Sequence, residues 1–200
     1  MPAIITDYTS LYSLVIAELA GVPMPLMSQQ FSLIGREFCR ATEAWVEYLS
    51  PVNIKTDIVR YALPMDYDVM VRRILSVRIN GHNSHPIHPS QYEYVDGENT
   101  IILRHKPTAD IANGLIVEVV LVPFLYSTVL SATFLEKWGE GIAAGVKSAF
   151  MIMKNKTWSD PDRAAVYRRD YLSAQADARF DKTHKNKRDN VAVSYNEWAV

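Results

Sequence analysis

Cysteine occurs once, at Cys39, which rules out a framework of intramolecular disulfides. Lysine and arginine are missing from residues 1–35, where Asp7 and Glu18 are the charged residues. A net charge of −1 gives no general reason for the chain to bind nucleic acid or an anionic membrane. Long apolar runs are also lacking. The stretch from Leu11 to Gly21 is interrupted by Glu18, follows no basic residue and is too short to cross a bilayer. A soluble chain without a secretory leader is expected. There is no Gly-rich phosphate loop, no Gly-x-Ser-x-Gly elbow and no His-Glu-x-x-His pair, so the common nucleotide, serine-hydrolase and zinc-protease signatures are excluded.

What is present is ordinary globular material. The 200 residues are 48% hydrophobic and 22% charged, enough to build a sizeable core. Residues 7–20 read as a short helix, with Leu11, Leu14, Val15, Glu18 and Leu19 on one face and Gly21 at its end. A second helix is expected over 25–49. Its stripe of Met27, Phe31, Ile34, Phe38, Ala41, Trp45 and Tyr48 steps four and three alternately, a seam suited to packing on other helices. From Pro51 to about residue 124 the period shortens to that of strands. Ile54 to Leu63, Ile74 to Ile79 with the Asn80-Gly81 turn, Tyr92 to Val95, Thr100 to Arg104 and Leu115 to Val122 predict a small antiparallel sheet of four to six strands. Pro64 to Asp68 reads as a helical turn. Two further helices are predicted over 131–154 and 160–183, joined by a short connector and therefore antiparallel. Ser159 is the expected N-cap of the last one, with Pro161 near its first position.

The fold class that results is α+β. An antiparallel bundle of about four helices carries a small antiparallel β-sheet between its second helix and a C-terminal helical hairpin. One domain is expected over 1–184, with the β insertion at about 51–124, followed by an extended C-terminal arm over 185–200. Phe38, Trp45, Trp138, Ile142 and Tyr167 are expected to meet in one interior. Gly139, Gly141 and Gly145 lie inside a helix, where glycine costs stability, and close helix approach is the expected reason.

Few residues invite chemistry. His82, His85 and His88 recur every three positions, with His105 further on, but Pro86 and Pro89 mark a loop and no cysteine or carboxylate motif completes a metal set. A small metal-binding protein or enzyme built on that loop is one alternative. Arg168, Arg169, Arg179, Lys182, Lys185, Lys187 and Arg188 support another, a helical nucleic-acid-binding module. Cys39 reads as a buried inert thiol, and Asp66 with Asp68 as a helix start.

The order of certain motifs resembles a known family. Met24-Pro25-Leu26 is followed by Arg36-Glu37-Phe38-Cys39 and Trp45. Leu63-Pro64-Met65-Asp66-Tyr67 is followed by Val77-Arg78-Ile79-Asn80-Gly81. Trp138, Ile142 and Ala143-Ala144-Gly145 then precede Trp158-Ser159-Asp160-Pro161 and Ala164-Ala165-Tyr167. Together, over roughly residues 24–180, these resemble the head-to-tail adaptor (connector, or head-completion) proteins of tailed bacteriophages. The resemblance implies a structural virion protein at the head–tail junction, assembled in the host cytoplasm. It implies a homo-oligomeric ring, usually of 12 subunits, bound under the portal protein and offering a platform to tail or nozzle proteins. Double-stranded DNA would pass through its channel without specific binding. No catalysis, cofactor or metal is implied, and no membrane. In the C-terminal arm, Arg188, Val191, Val193, Tyr195 and Trp198 are the residues expected to meet a partner.

Overall fold

A computed structural model describes residues 5–65, 68–79 and 85–192. In chain order it contains β1 (Ile5–Asp7), α1 (Thr9–Ile16), α2 (Met24–Thr42), β2 (Val46–Tyr48), β3 (Val52–Ile54), β4 (Arg60–Ala62), β5 (Val69–Ile79), β6 (Tyr92–Val95), β7 (Thr100–Leu103), β8 (Ile111–Pro123), β9 (Val129–Ser131), α3 (Ala132–Met151) and α4 (Pro161–Ala192). The fold is α+β, with four helices, small antiparallel sheets and a C-terminal helical hairpin among the described residues. The chain divides into two compact units. Among the described residues, one holds 45–124 and the other holds 5–44 together with 125–192.

The first unit is built of strands. β8 is its central element, pairing antiparallel with β2 and β3 on one side and with β5 on the other. Leu115, Ile116, Val117, Val119, Val120, Leu121 and Val122 are all buried, so β8 is covered on both faces. Glu118 interrupts that run as a half-buried residue and accepts a hydrogen bond from the Ser76 hydroxyl of β5 at 3.0 Å. A second sheet has the order β4-β7-β6. Its β6–β7 hairpin turns at Asp96-Gly97, where Gly97 adopts φ +85°. The single strand expected from Ile54 to Leu63 is two strands. Asp57 takes a left-handed conformation (φ 63°), and β3 and β4 part to join different sheets. The Asn80-Gly81 turn lies outside the described residues, but Ile87 donates its N–H to Val77 O at 2.8 Å, so residues 86–87 run back along β5.

The second unit is built of helices, with the two-stranded ribbon β1–β9 at their start. α3 touches α1, α2 and α4, and α2 also touches α4. Met27, Phe31, Ile34 and Phe38 of α2 are buried, as the stripe predicts. The stripe does not continue to Trp45 and Tyr48 on a helix reaching residue 49. α2 stops at Thr42, where Glu43 turns left-handed (φ 51°) and donates its N–H to Cys39 O at 2.9 Å. The Thr42 hydroxyl donates to Phe38 O at 2.8 Å and accepts the Ala44 N–H at 3.2 Å, which closes the last turn. Beyond it Val46, Glu47 and Tyr48 alternate, and main-chain pairing with β8 fixes them as a strand. Trp45 therefore belongs to the β unit.

α1 is also shorter than the expected 7–20. It ends at Ile16, and the chain turns through Leu19 to Gly21 (φ +88°). α4 begins one residue later than Ser159 would set it. Asp160 is the cap, accepting the Arg163 N–H at 3.0 Å, and Pro161 occupies the first helical position. The Ser159 N–H is already used by Lys156 O at 3.1 Å. At its other end α4 runs to Ala192, so residues 185–192 are helix and not extended arm. The run Lys182 to Asp189 contains neither proline nor glycine, and four of its eight residues, Lys182, Lys185, Lys187 and Arg188, are straight-chain types that favour helix.

Candidate functional site

The helical unit is held by unusually close backbone approach. A Cβ on Gly139 would lie 2.7 Å from Leu11 of α1, and one on Gly141 would lie 2.5 Å from the Ala174 Cβ of α4. At Gly145 it would lie 2.7 Å from both Ile34 of α2 and Tyr171 of α4. Ordinary carbon contacts begin near ~3.5 Å. Three glycines on one helix thus admit three different partners, which accounts for their presence in a helix interior. Around them Phe38 meets Phe134, Trp138 and Tyr171 with ring centroids 6.0, 6.0 and 5.9 Å away. Ile142 and Tyr171 are fully buried, and Trp138 is half-buried. Of the five residues expected in one interior, Phe38, Trp138 and Ile142 lie in this unit's packing, whereas Trp45 belongs to the β unit. Tyr167 serves a polar cluster instead.

That cluster centres on Glu18, in the turn after α1. Its carboxylate takes the Lys147 ammonium at 2.6 Å and the Arg163 guanidinium at 2.9 Å, and accepts a hydrogen bond from the Tyr167 hydroxyl. The Lys147 ammonium also sits 4.8 Å from the centre of the Tyr167 ring. Burial pushes the Glu18 carboxyl up, but the hydrogen bonds from Lys147 and Tyr167 and the two nearby positive charges outweigh it and hold Glu18 below the usual carboxylate range. The hydrogen bond to Glu18, with burial and the carboxylate's charge, raises Tyr167. One carboxylate thereby links the α1 turn to α3 and α4. The sequence marks Glu18 only as an interruption of an apolar face. Its partners are 129 and 145 residues away or more, so no local spacing reveals them.

A second tie joins α4 to the C-terminus of α2. Arg179 donates through Nε to Ala41 O at 3.0 Å, and Lys182 pairs with Glu43. Cations at a helix C-terminus oppose its negative end. Arg168 lies over the Tyr171 ring at 5.4 Å and Arg169 lies 3.9 Å from the Asp170 carboxylate, so four residues of the basic set proposed for nucleic acid already have protein partners.

Between α1, α3 and α4 runs a cleft of about 540 Å³. Gly141, Ala143, Ala144 and Ala174 form its small-residue floor, Leu14, Lys147 and Tyr167 line it, and Glu140, Asp170 and Asp177 bring carboxylates to it.

The remaining predicted residues are dispersed. Arg188 and Val191 fall on the last turns of α4, while Val193, Tyr195 and Trp198 lie outside the described residues. His82 lies outside them too. His85 is exposed, and the exposed His88 caps a 3-10 turn over Pro89–Gln91 by accepting the Ser90 N–H at Nδ1, 3.2 Å away. His105 is exposed. Among the described residues no three His, Cys, Asp or Glu side chains gather as a metal site would require. Cys39 is fully buried and burial pushes its thiol up, which leaves it inert as a nucleophile. Asp66 is outside the described residues, and Asp68 offers its carbonyl to the Phe124 N–H at 3.0 Å without starting a helix. No helix among the described residues is long and apolar enough to cross a membrane. Compared with models of known protein families and with curated protein sequences, the chain matches none.

Proposed function

We propose that this protein is a head-to-tail adaptor subunit of a tailed bacteriophage, a non-enzymatic structural component that closes into a ring of about 12 copies under the portal. One observation carries the reading. The most specific motif set of the resemblance falls on the α3–α4 hairpin, and its members are the residues that make the hairpin rigid. Gly145 admits Ile34 and Tyr171, Trp158 stands edge-on to Phe150 at 6.4 Å, Asp160 caps α4, and Tyr167 reaches Glu18. A ring subunit needs a wedge of this kind, stiff enough to hold its neighbours at a constant angle.

The length of α4 supports the same reading. At 32 residues against 20 for α3, it is longer than its antiparallel neighbour by about 18 Å at the usual helical rise. Gly141 faces Ala174 and Lys137 pairs with Asp181, so the last turns of α4 pass the start of α3. Those turns carry Arg188 and Val191 and lead to Tyr195 and Trp198. A helix of this kind, followed by aromatic residues, suits docking on a portal or a neighbouring subunit. The test is co-sedimentation of the purified chain with rings of the cognate portal. Saturable binding near one chain per portal subunit is expected, and its absence with folded protein overturns the reading. Removal of residues 189–200 takes the end of α4 and the segment after it, and is expected to weaken binding at least tenfold while leaving the melting temperature nearly unchanged.

A further inference from the structure

We infer that the seam between α2 and α4 is a contact surface for a second copy of this chain, and that its occupant is the neighbour's acidic α1–α3 side. The inference deepens the ring reading by naming a contact, and it rests on that reading.

The seam follows from the packing of the helical unit. α2 and α4 run alongside each other in the same direction, because Ile34 and Phe38 meet Tyr171, Ala41 meets Arg179 and Glu43 meets Lys182. Leu33, Glu37 and Arg40 follow one another at helical spacing along one bank, and Arg168, Leu172, Gln175 and Arg179 along the other. Between the banks lie the Tyr171 hydroxyl and the Gln175 Nε2, neither of which has a hydrogen-bond partner. Tyr171 is 0% exposed and Gln175 6%. The hydroxyl sits beside the Gln175 amide and the Glu37 carboxylate without bonding geometry to either. Burial, with the Glu37 charge, pushes this phenol up and keeps it a donor. Buried donors without acceptors are costly, and an incoming acceptor relieves that cost. Leu33 and Leu172, both exposed, supply apolar surface on either side.

Charge selects the occupant. Arg40, Arg168 and Arg179 bring guanidinium groups to the seam against the single carboxylate of Glu37. Arg168 rests on the Tyr171 ring, and Arg40 forms no ion pair among the described residues. A surface with apolar and acidic groups fits, and the same chain carries one. Residues 1–35 contain no lysine or arginine. Leu14 and Ile16 of α1 are exposed. Glu136 and Glu140 stand one turn apart on α3, exposed and without an ion pair among the described residues. Leu14 and Glu140 border the same cleft. The cations nearby are committed, Lys137 to Asp181 and Lys147 to Glu18. α4 stands between the two surfaces. Its Tyr167 and Ala174 turn to the cleft, and Arg168 and Gln175, about 100° further round, turn to α2. One chain therefore cannot join its own two surfaces, and a second copy has to. Two different, complementary surfaces form a heterologous contact, which generates rings when the rotation closes.

The experiment is sedimentation of the full chain up to millimolar concentration at low salt. Concentration-dependent association is expected, at least tenfold weaker at about 0.5 M salt, where screening is short-ranged. Arg40→Glu with Arg168→Glu makes both surfaces acidic, and Glu136→Arg with Glu140→Arg makes both basic. Neither double variant should associate alone. Their equimolar mixture should, because each then offers the other a complementary surface. Tyr171→Phe removes the unpartnered hydroxyl, and should weaken association at least fivefold without lowering the monomer's melting temperature. Circular dichroism checks that every variant is folded. A wild-type chain that stays monomeric, or folded double variants that fail to associate on mixing, overturns the inference. A Tyr171→Phe chain that melts lower and associates as well as wild type places the hydroxyl in the monomer's own packing and overturns its role in the contact. Portal binding by a chain that shows no self-association overturns the contact and leaves the adaptor reading. Self-association through these surfaces without portal binding overturns the adaptor reading and leaves the contact.

Discussion

Replacing Gly145 by alanine adds one methyl group at the point where three helices come closest. On an open helix face that change gains up to about 1 kcal/mol, because alanine loses less backbone freedom than glycine. Here the new Cβ would stand 2.7 Å from Ile34 Cγ2 and 2.7 Å from Tyr171 Cδ2. Contact is comfortable only near ~3.5–4.0 Å, so each neighbour must retreat by about 1 Å. Ile34 is 7% exposed and Tyr171 is 0% exposed, so neither can swing into solvent, and the helices themselves have to part. Overpacking of this kind costs about 1–3 kcal/mol. Set against the full propensity gain, Gly145→Ala should destabilise the protein by about 0–2 kcal/mol instead of stabilising it. Urea unfolding followed by helical circular dichroism measures it as a lower midpoint with an unchanged slope. Ala165, exposed on α4, provides the control: Ala165→Gly should cost about 1 kcal/mol from propensity alone. In an Ile34→Ala background, part of the clash is gone and the penalty at position 145 should shrink. A Gly145→Ala that stabilises by about 1 kcal/mol, as it would on an open helix face, would refute close packing as the reason for that glycine.

Two further changes test the polar parts of the helical unit. Glu18→Gln should cost about 1–3 kcal/mol near neutral pH, since it leaves Lys147 without its carboxylate. The folded state holds Glu18 below its ordinary value, so its contribution is complete above the usual carboxylate range and fades as pH falls through the depressed value. The gap between wild type and variant should therefore narrow on acidification below about pH 4, and a constant gap down to pH 2 would contradict the network. At the start of α4, Asp160→Ala should lose about 1 kcal/mol while Ser159→Ala changes little. The reverse order in thermal melts would return the cap to Ser159.

Much of the helical unit is legible in its periodicity. Met27, Phe31, Ile34 and Phe38 are spaced for one buried face, and the mid-helix glycines signal close approach because nothing else compensates their cost. The end of α2 is less legible. Trp45 and Tyr48 continue the four-and-three spacing by coincidence, and main-chain pairing with β8 overrides it. The division of Ile54 to Leu63 between two sheets rests on a left-handed Asp57, which only tertiary context selects. The apolar run in β8 is readable as a strand, but its coverage on both faces is not. Charge partners are the least legible of all. Glu18 and Lys147, or Glu43 and Lys182, are more than a hundred residues apart, and the chain carries no local trace of their pairing. The cleft follows from the same long-range packing, so its three carboxylates read in the sequence as ordinary solvated helix positions.

The central claim is that this chain forms a ring beneath a portal, and imaging of the assembled vertex tests it most directly. Purified protein would be mixed with DNA-filled heads that carry the cognate portal and lack tails, then examined by cryo-electron microscopy. The account predicts a closed ring of density at the outer end of the portal, into which the α3–α4 hairpin fits once per subunit around an open channel. Heads whose portal vertex gains no density, in the presence of folded protein, would contradict it.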